Sequence, residues 1–547
     1  MAKFTGHTIT PDSALGGIEI ENSLRFDEDD NTYLSASPTF NTKKYTFSFW
    51  FKPSKKGGCT FLGYNSVGNN RQTFSYGDYE GHFANQLRKG GSTQSQYATT
   101  AAHRDFGGWY HVVYVWDTDN GTQADRFIVY VNNVRKDMTQ YTGTSSGVTG
   151  YIGDGNTLHI GRSIDGYSKA RMYLADYHLI DGQAYDASYF GFTDALTGKW
   201  RPKKYTGSYG SGGFHLEFKD SSNLGKDTSG NANNWTANNF SVSAGAGKDL
   251  VTDTPTNNFP VLNLMDRGSV TLTQGNLKAT QSSAHETVLA TITIPSGKWY
   301  WEVTCGNSNQ SGELAGIGNN SGGILNSHVG STATSWGYET TGLIWNNNNG
   351  TGSNATLTTG DILGIAYDAD AGVISYYKNN SLQPNKHTGI TANNYSPMVS
   401  LYHSSAFWTI NFGQQGFNYT PPTGYRALNS KNRATPAAAE IINPKKHFDT
   451  LLYTGNNTDD TNITGLEFKP DFVWIKQRAG TNNHLLINSV QRRLTANTFL
   501  NSNTNGGDAT DPNLLQSFNK DGFQIGTSSE LNENSETYVA WCWKGGG

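Results

Sequence analysis

The stretch Tyr45-Thr46-Phe47-Ser48-Phe49-Trp50-Phe51 places an aromatic residue at every second position. Successive side chains of a β-strand point to opposite faces of a sheet, so this alternation predicts a strand with Tyr45, Phe47, Phe49 and Phe51 on one apolar face. Three more runs have the same enrichment in aromatic and β-branched residues: 109–116, 126–131 and 173–180. Turn-forming pairs close the last two, at Asn132-Asn133 and Asp181-Gly182. Several short strands at this spacing predict a β-sandwich.

The composition of the whole chain agrees with many short strands joined by turns. Aromatic residues make up 12% of the sequence, and 63 of the 547 residues are glycine. Aromatic residues favour pleated surfaces, whereas Gly and Asn favour turns. A single hydrophobic core stops growing at roughly 250–300 residues. We therefore expect an all-β chain of about three or four domains.

Charge and hydropathy narrow the classes of function. The net charge is -4, and no cluster of Lys and Arg appears, so we expect no nucleic-acid partner. No run approaches the roughly 20 apolar residues of a membrane span, so we expect no membrane insertion. The N-terminus lacks the apolar core of a secretion signal, so if the protein works outside a cell we expect release by lysis and not by that signal. Cys59, Cys305 and Cys542 are odd in number and far apart, so buried free thiols are expected.

The order of motifs in the first 240 residues resembles a known superfamily. The series contains Trp109-Tyr110-His111-Val112, Tyr130-Val131-Asn132-Asn133 and Ala175-Asp176-Tyr177. It resembles the laminin G and concanavalin A-like jelly rolls over roughly residues 10–220. We assign residues 1–240 to this domain. The Gly-, Ser-, Asn- and Thr-rich residues 241–264 are expected to form a linker.

The middle of the chain resembles a second family of β-sandwiches. Gly297-Lys298-Trp299-Tyr300-Trp301 opens the pattern, Gly360-Asp361-Ile362-Leu363-Gly364 follows, and Phe407-Trp408-Thr409-Ile410-Asn411 closes it. This order resembles a SPRY domain, which we place at residues 265–428. The resemblance implies binding of peptides or proteins through loops at one end.

Residues 429–547 resemble a β-module found near the C-termini of phage structural proteins, and they are expected to form a third, small β-sandwich. Phe472-Val473-Trp474-Ile475 and Tyr538-Val539-Ala540-Trp541 are its clearest strands. Phrases in residues 216–227 and 252–259 also resemble phage tail and fibre-like proteins. Related proteins usually continue beyond Gly547, so a longer natural chain stays an open alternative.

The sequence contains only incomplete versions of known catalytic motifs. Glycosidases of the jelly-roll superfamily need paired acids on one strand face, and Glu19-Ile20-Glu21 is followed by no third acid in register. Gly143-Thr144-Ser145-Ser146-Gly147 fits the nucleophile-elbow pattern, but its flanks predict a turn-rich loop and no helix. His111 and His178 lie in predicted strands beside aromatic residues, where a lone His usually packs and does not bind metal. We therefore expect no catalytic residues, no enzyme activity and no metal centre.

A calcium site is an alternative that the pattern does not favour. Asp117-Thr118-Asp119-Asn120-Gly121 resembles the start of a calcium loop, but its Gly comes one place early and no Glu closes it. Some laminin G-like domains bind Ca²⁺, so Asp117, Asp119 and Asp165 are the candidate ligands. A hairpin turn explains the pattern equally well, and no cofactor is expected.

Binding of a ligand at the protein surface is the remaining class of function. Sugar-binding sites combine aromatic faces with Asn and Asp groups. Three turn-rich stretches have this combination, and scattered surface aromatics are its ordinary alternative explanation. The candidate ligand-binding residues are Tyr76, Asp78, Tyr79, His82, Asn85, Arg162, Asp165, Tyr167, Trp336, Tyr338, Trp345 and Asn346.

Together these patterns predict a non-catalytic phage virion protein. We expect a homo-oligomeric tail fibre or fibre-like component that contacts other virion proteins and host-surface glycans or proteins. A structural decoration or collar protein is the first alternative, and a glycan depolymerase is the second. A decoration protein would show a broad apolar docking patch, and a depolymerase would show paired carboxylates.

Overall fold

The computed structural model describes residues 17–66, 69–77, 80–166, 168–194, 198–245, 247–281, 284–306, 311–391, 393–433, 444–490 and 498–545. The chain divides into two compact units, Met1–Thr435 and Pro436–Gly547. Almost all regular structure is β-strand, as the alternation and composition predicted. Its two four-residue α-helices are α1 (Ser430–Arg433) and α2 (Ser529–Asn532) among the described residues.

The first part of the larger unit is a two-sheet sandwich. Its strands are β1 (Ser23–Phe26), β2 (Tyr33–Ala36), β3 (Lys44–Pro53), β4 (Cys59–Ser66), β5 (Asn70–Gly77), β6 (His82–Lys89), β7 (Ser92–Thr99), β8 (Tyr110–Asp117), β9 (Phe127–Val131), β10 (Val134–Arg135), β11 (Met138–Thr142), β12 (Leu158–Ile160), β13 (Met172–Asp181), β14 (Gly191–Thr193), β15 (Trp200–Pro202), β16 (Phe214–Leu216), β17 (Thr236–Asn238) and β18 (Leu250–Val251). One sheet runs β10-β9-β8-β3-β13-β1-β18, with β16 paired to β13, and the other runs β11-β7-β6-β5-β4-β12-β2-β17. We call them sheet I and sheet II.

The quoted aromatic stretch forms the centre of sheet I. Tyr45, Phe47, Phe49 and Phe51 are fully buried between the sheets. The ring of Phe47 stacks on Tyr114 of β8 with centroids 4.9 Å apart. The predicted strand and its inward face are therefore confirmed.

The opposite face of β3 is buried as well. Residues 183–194 and 198–209, which include β14 and β15, cover part of it, and Thr46 accepts a hydrogen bond from the backbone of Tyr185. Lys52, further along the same face, has its ammonium group buried. Sheet I therefore has two covered faces, which alternation alone does not reveal.

The second part of the larger unit is another sandwich. Its strands are β19 (Leu262–Arg267), β20 (Thr271–Thr273), β21 (Lys278–Thr280), β22 (Glu286–Ala290), β23 (Lys298–Gly306), β24 (Leu314–Gly318), β25 (Ser335–Glu339), β26 (Ile344–Asn346), β27 (Asn349–Thr351), β28 (Ile362–Asp368), β29 (Val373–Lys378), β30 (Ser381–Leu382), β31 (Ser396–Leu401), β32 (Phe407–Asn411) and β33 (Arg426–Ala427). Sheet III runs β19-β22-β31-β24-β25-β26-β27, and sheet IV runs β20-β21-β32-β23-β28-β29-β30. Trp301 and Trp408 are fully buried between them.

Within residues 241–264, expected to form a linker, most positions from Asp249 to Leu262 are buried. Within them β18 pairs with β1, and the carboxylates of Asp249 and Asp253 are buried against Arg25 and Lys52. Acidic residues of this segment pair with buried basic residues of the first sandwich. A polar composition is therefore compatible with tight packing here.

The C-terminal unit has a six-stranded and a three-stranded sheet around one core. Its strands are β34 (Phe448–Thr454), β35 (Thr461–Thr464), β36 (Phe472–Gln477), β37 (Leu485–Asn488), β38 (Thr498–Asn501), β39 (Ala509–Thr510), β40 (Leu515–Asn519), β41 (Gly522–Ile525) and β42 (Thr537–Trp543). The larger sheet runs β34-β42-β36-β37-β38-β39, and the smaller runs β35-β41-β40. Val473 and Phe523 meet in the core between them. Together the three parts confirm an all-β chain of tandem sandwiches.

Two further observations concern features predicted from composition. Cys59, Cys305 and Cys542 are free and buried, as expected. In the part of the chain that the structure describes, no helix has the length and hydropathy that crossing a membrane requires.

His387 should make the stability of the second sandwich depend on pH. Burial lowers the pKa of His387 to about 4, against about 6.5 in an unfolded chain. Between these values the unfolded chain binds a proton that the folded chain does not, so acidification from about pH 6.5 to 4 should cost about 1.4 kcal/mol per pH unit. Urea unfolding of H387Q across this range should show a pH slope smaller by that amount. The exposed His447 provides the control: H447Q should leave the slope unchanged, and an unchanged slope in H387Q would contradict the assignment.

Candidate ligand-binding cavity

A cavity of about 580 Å³ lies where the outer face of sheet I meets the segment that leads into the second sandwich. Both sandwiches belong to the larger unit. The residues that line the cavity are Trp50, Asp105, Gly108, Trp109, Tyr110, Asn132, Asn133, Val134, Thr193, Gly198, Lys199, Trp200, Pro255, Thr256, Asn258 and Ser430.

Four aromatic side chains form the wall. Trp50 projects from the outer face of β3, the face opposite Phe49 and Phe51, because strand side chains alternate. Tyr110 opens β8, Trp109 precedes it, and Trp200 opens β15. Aromatic rings give a ligand large apolar contact area at low cost in conformational entropy.

His111 holds Trp200 in place. The Trp200 indole N–H donates to His111 Nδ1 over 2.9 Å, so His111 carries its proton on Nε2 and donates it to the hydroxyl of Ser48, 2.8 Å away. Burial lowers the pKa of His111 to about 3, so the ring is neutral at pH 7. Each nitrogen has a defined partner, and the orientation of Trp200 is therefore fixed.

Trp109 is anchored through a buried ion pair. Its indole N–H donates to Asp253 Oδ1 over 3.1 Å, and Asp253 Oδ2 accepts from Lys52 Nζ over 2.8 Å. Asn258, another lining residue, accepts from the same ammonium group over 2.8 Å and donates to the backbone of Gly107 over 2.7 Å. These bonds join β3 and the residues before β8 to the segment that leads into the second sandwich, and they fix this wall of the cavity.

The rim is polar. Asn132 and Asn133 form the β9–β10 hairpin turn with φ angles of 49° and 67°, a conformation that Asn tolerates better than most residues. Both side chains are exposed, and Asn132 Oδ1 accepts from the backbone of His111. Trp50 Nε1 is buried and lacks a hydrogen-bond partner among the described residues. Burial also lowers the pKa of Lys199.

Aromatic faces beside amide groups suit a flat, polar-rimmed ligand such as a sugar ring. Asp105 is the sole carboxylate among the described lining residues. Glycoside hydrolysis ordinarily needs two carboxyl groups flanking the bond that breaks. The described lining therefore offers one of the two carboxyl groups that this reaction ordinarily requires.

The residues predicted in the first stretch of the jelly roll lie mostly inside the sandwich. Tyr76 is fully buried, with its hydroxyl donating to the backbone of His103, and Asn85 is buried with its amide donating to Ser95. His82 Nδ1 lies 2.5 Å from the backbone oxygen of Thr99. Tyr76 and Asn85 point inward because they occupy core-facing positions of β5 and β6. Asp78 and Tyr79 lie outside the described residues.

The second predicted stretch is held by local contacts. The guanidinium of Arg162 lies over the ring of Tyr33, 3.6 Å from its centroid, and Arg162 donates to Asn31. Asp165 accepts from Ser163 and Asn65. Tyr167 lies outside the described residues. No cavity described above includes Arg162 or Asp165 in its lining.

The predicted residues of the second sandwich divide between its core and another cavity. Trp336 and Tyr338 are buried, and the Tyr338 hydroxyl donates to the backbone of Ala355. Asn346 donates to the backbone of Ser335 over 2.8 Å. Trp345 lines a cavity of about 420 Å³ at one end of sheet III, beside Tyr402, His285 and His328. The Trp345 indole N–H donates to the buried carboxylate of Glu339 over 3.0 Å.

The calcium candidates face ammonium groups or local donors. Lys44 Nζ lies 3.0 Å from Asp117, and Lys43 Nζ lies 3.4 Å from Asp119. A neighbouring Lys already neutralises each of these carboxylates, which works against a divalent cation there. Among the described residues, Asp117 and Asp119 do not form a ligand group with Asp165, which accepts hydrogen bonds from Asn65 and Ser163. Glu19 and Glu21 are both exposed and lie outside the strands, and Glu19 pairs with Lys431.

The sequence analysis missed Trp50, Trp109 and Trp200 as lining residues. Trp50 and Trp109 lay in predicted strands, where a core role is the ordinary expectation. Their partner Asp253 lies 144 positions after Trp109, so no local pattern connects them.

Comparisons with known proteins agree with this architecture. Residues 26–182 match the model of the concanavalin A-like lectin/glucanases superfamily, residues 298–415 match the SPRY domain, and residues 443–547 match a domain of unknown function (DUF7483). No curated protein matches the chain.

Solved structures similar to part of the chain include the SPRY domain of human HERC1. The match has 21% sequence identity, covers 27% of this chain and 96% of that chain, and has a TM-score of 0.25. Stonustoxin has 21% identity over 28% of this chain and 27% of its own, with a TM-score of 0.24. The TRIM65 PSpry domain has 16% identity over 28% of this chain and 92% of its own, also with a TM-score of 0.24. The chain therefore carries a concanavalin A-like domain, a SPRY domain and a third domain of unknown function, and the first two together suggest a binding role.

Proposed function

We propose that this chain is a non-catalytic binding protein of a phage virion, a tail fibre or fibre-like component that contacts glycans or proteins on the host surface. The observation that carries the binding part is the cavity on the outer face of sheet I, with four aromatic side chains and an amide rim. A cavity of about 580 Å³ falls in the range of small-molecule sites and can enclose one or two sugar rings. The virion part rests on the resemblance of the C-terminal module to phage structural proteins.

The lining of the cavity favours this proposal over hydrolysis. A decoration protein would need a broad apolar docking surface, and the C-terminal sheet is its candidate, because Phe448 and Leu452 are both exposed on β34 and the ring of Phe448 lies beside Trp543. A depolymerase would need a second carboxylate beside Asp105. Homo-oligomerisation is proposed by analogy with fibres.

Replacing Trp109 should weaken ligand binding. Trp109→Ala removes one aromatic face from the cavity, and we expect the affinity for a bound glycan to fall about tenfold, as loss of a stacked ring would give. Titration calorimetry with an oligosaccharide found on a glycan array measures this. Tyr141, an exposed ring on β11, provides the matched control, and Y141A should bind like the parent chain. Near-ultraviolet circular dichroism checks that W109A keeps its packing, and a folded W109A that binds normally would refute the site.

The function as a whole has its own test. The purified chain should bind host cells or extracted host polysaccharide saturably, and the polysaccharide should keep its length on incubation. Shortened glycan chains would show an enzyme and overturn the non-catalytic proposal. Mass spectrometry of virions from a phage that encodes the chain should find it among the structural proteins; its absence there would overturn the virion assignment.

A further inference from the structure

Asp176, His178 and His215 cluster on the outer face of sheet I. β13 carries a bulge between Ala175 and His178, where its register against β3 shifts. Within the bulge Asp176 has a φ of 52°, a left-handed conformation that is uncommon for a residue other than glycine. Bulges re-aim side chains and are frequent next to functional sites. Here the bulge turns the Asp176 carboxylate toward two imidazole rings.

The donor atoms of the three residues are close together. Asp176 Oδ1 lies 2.7 Å from His215 Nε2, and Asp176 Oδ2 lies 3.2 Å from His178 Nε2. All three donor atoms lie within 4.8 Å of one another. The two rings stack with centroids 4.0 Å apart, and both Nε2 atoms face the carboxylate of Asp176.

The far nitrogen of each ring has its own partner. His178 Nδ1 lies 2.8 Å from the hydroxyl of Tyr209, and His215 Nδ1 lies 3.0 Å from the hydroxyl of Thr228. At 2.7 Å the Asp176 carboxylate accepts a hydrogen bond from His215 Nε2, so an ion can bind there only when the neutral ring carries its proton on Nδ1 instead. The hydroxyls of Tyr209 and Thr228 can accept those Nδ1 protons and leave the Nε2 lone pairs facing inward, which is the arrangement that outer partners impose on metal-binding His.

The surroundings of His178 Nε2 favour a cation between the three groups. The ring is buried, and although Asp176 is 3.2 Å away, the contact lacks hydrogen-bond alignment and leaves Nε2 without a partner among the described residues. A nitrogen so close to a carboxylate oxygen needs a proton or a metal ion between them, because its lone pair would otherwise face negative charge. Asp227 adds negative charge close by, because its Oδ1 accepts a hydrogen bond from the backbone N–H of His215 over 2.8 Å.

We propose that Asp176, His178 and His215 bind a divalent first-row transition-metal ion, and that Zn²⁺ is the expected ion. Two imidazole nitrogens and one carboxylate oxygen are a ligand set that this class of ion prefers, and Ca²⁺ and Mg²⁺ prefer oxygen. Because the rings are parallel, one must turn about its Cβ–Cγ bond for both lone pairs to meet at one ion, and that torsion is soft. His215 is the least buried ligand, so the fourth position opens on its side.

A bound ion would link residues from separate elements of the first sandwich. Asp176 and His178 lie on β13, His215 lies on β16, and Tyr209 and Thr228 come from the loops on either side of β16. An ion bound to the folded chain alone stabilises it by mass action. The metal proposal is independent of the ligand cavity.

The test uses the purified full chain after removal of metal with a chelator. Addition of Co²⁺ should produce a saturable visible absorption band at one equivalent per chain, which Zn²⁺ then displaces, and Zn²⁺ should raise the melting temperature. His215→Ala should abolish the band and the rise in melting temperature. His447 is exposed and lies outside the cluster, so H447A should behave as the parent chain and exposes adventitious binding by surface imidazole.

Two results would overturn the site. One is a parent chain without a saturable band, and the other is a folded H215A variant that binds as the parent does. Since H215A could fail to fold, anomalous diffraction at the zinc edge from crystals of the parent chain gives a second readout. A peak between Asp176, His178 and His215 supports the proposal, and zinc found only elsewhere refutes it.

Discussion

Replacing Lys52 by Met should lower the free energy of unfolding of the larger unit by about 3–5 kcal/mol, the cost of breaking a buried ion pair by removing one partner. The ammonium group of Lys52 is fully buried and donates to Asp253, Asn258 and the backbone of Phe259, each over 2.8 Å. Methionine keeps the apolar stem, but it leaves the buried carboxylate of Asp253 without its cation. Urea unfolding followed by tryptophan fluorescence measures the loss.

The position of Lys52 adds a second readout. Lys52 lies on β3, and its three partners lie in the segment that leads into the second sandwich. Loss of these bonds should loosen that segment, so limited proteolysis should cut K52M between residues 241 and 264 faster than the parent chain.

Lys43 provides the matched control for K52M. Its pair with Asp119 is exposed at 3.4 Å, and exposed pairs contribute about 1 kcal/mol or less. If K52M lost no more stability than K43M, the buried pair would not hold the two sandwiches together. The double variant K52M/D253L should recover part of the loss, because it removes the unpaired buried charge.

Replacing Trp408 by Ala should cost about 3–5 kcal/mol, as large-to-small changes in a core do. Trp408 lies on β32 of sheet IV and is fully buried. Its indole N–H donates to the backbone oxygen of Ser400 on β31, which belongs to sheet III, over 3.1 Å. The variant therefore opens a cavity and removes a hydrogen bond between the two sheets. Differential scanning calorimetry of the full chain should show an earlier transition for this sandwich.

The control for W408A is an exposed apolar residue of the same sandwich. Leu382 on β30 is largely exposed, and L382A should change stability by about 0.5 kcal/mol or less. Equal losses in the two variants would mean that the space between sheets III and IV is not the core that stabilises this domain.

Local alternation was sufficient to predict the class of fold. The rings of Tyr45, Phe47, Phe49 and Phe51 have no other way to be buried together than on one face of a strand. The motif orders that resemble a concanavalin A-like jelly roll and a SPRY domain were confirmed by the family matches. The enzyme, cofactor, partner and localisation expectations stay predictions, and so does the virion assignment.

Burial of individual site residues could not be predicted in the same way. Tyr76, Asn85 and Tyr338 occupy core-facing positions of their strands, whereas Trp50 occupies the outer face of a strand whose inner face was already clear. Whether an outward side chain meets solvent, a covering loop or a cavity depends on residues more than a hundred positions away, such as Asp253.

The sequence by itself determined that this is an all-β chain of tandem sandwiches, because strand periodicity and turn residues are local properties. The tertiary structure alone decided that most residues from Asp249 to Leu262 are buried, that four aromatic side chains surround one cavity, and that His215 meets Asp176 across 39 positions. Each of these features depends on long-range pairing of strands, which sets distances that no spacing along the chain records.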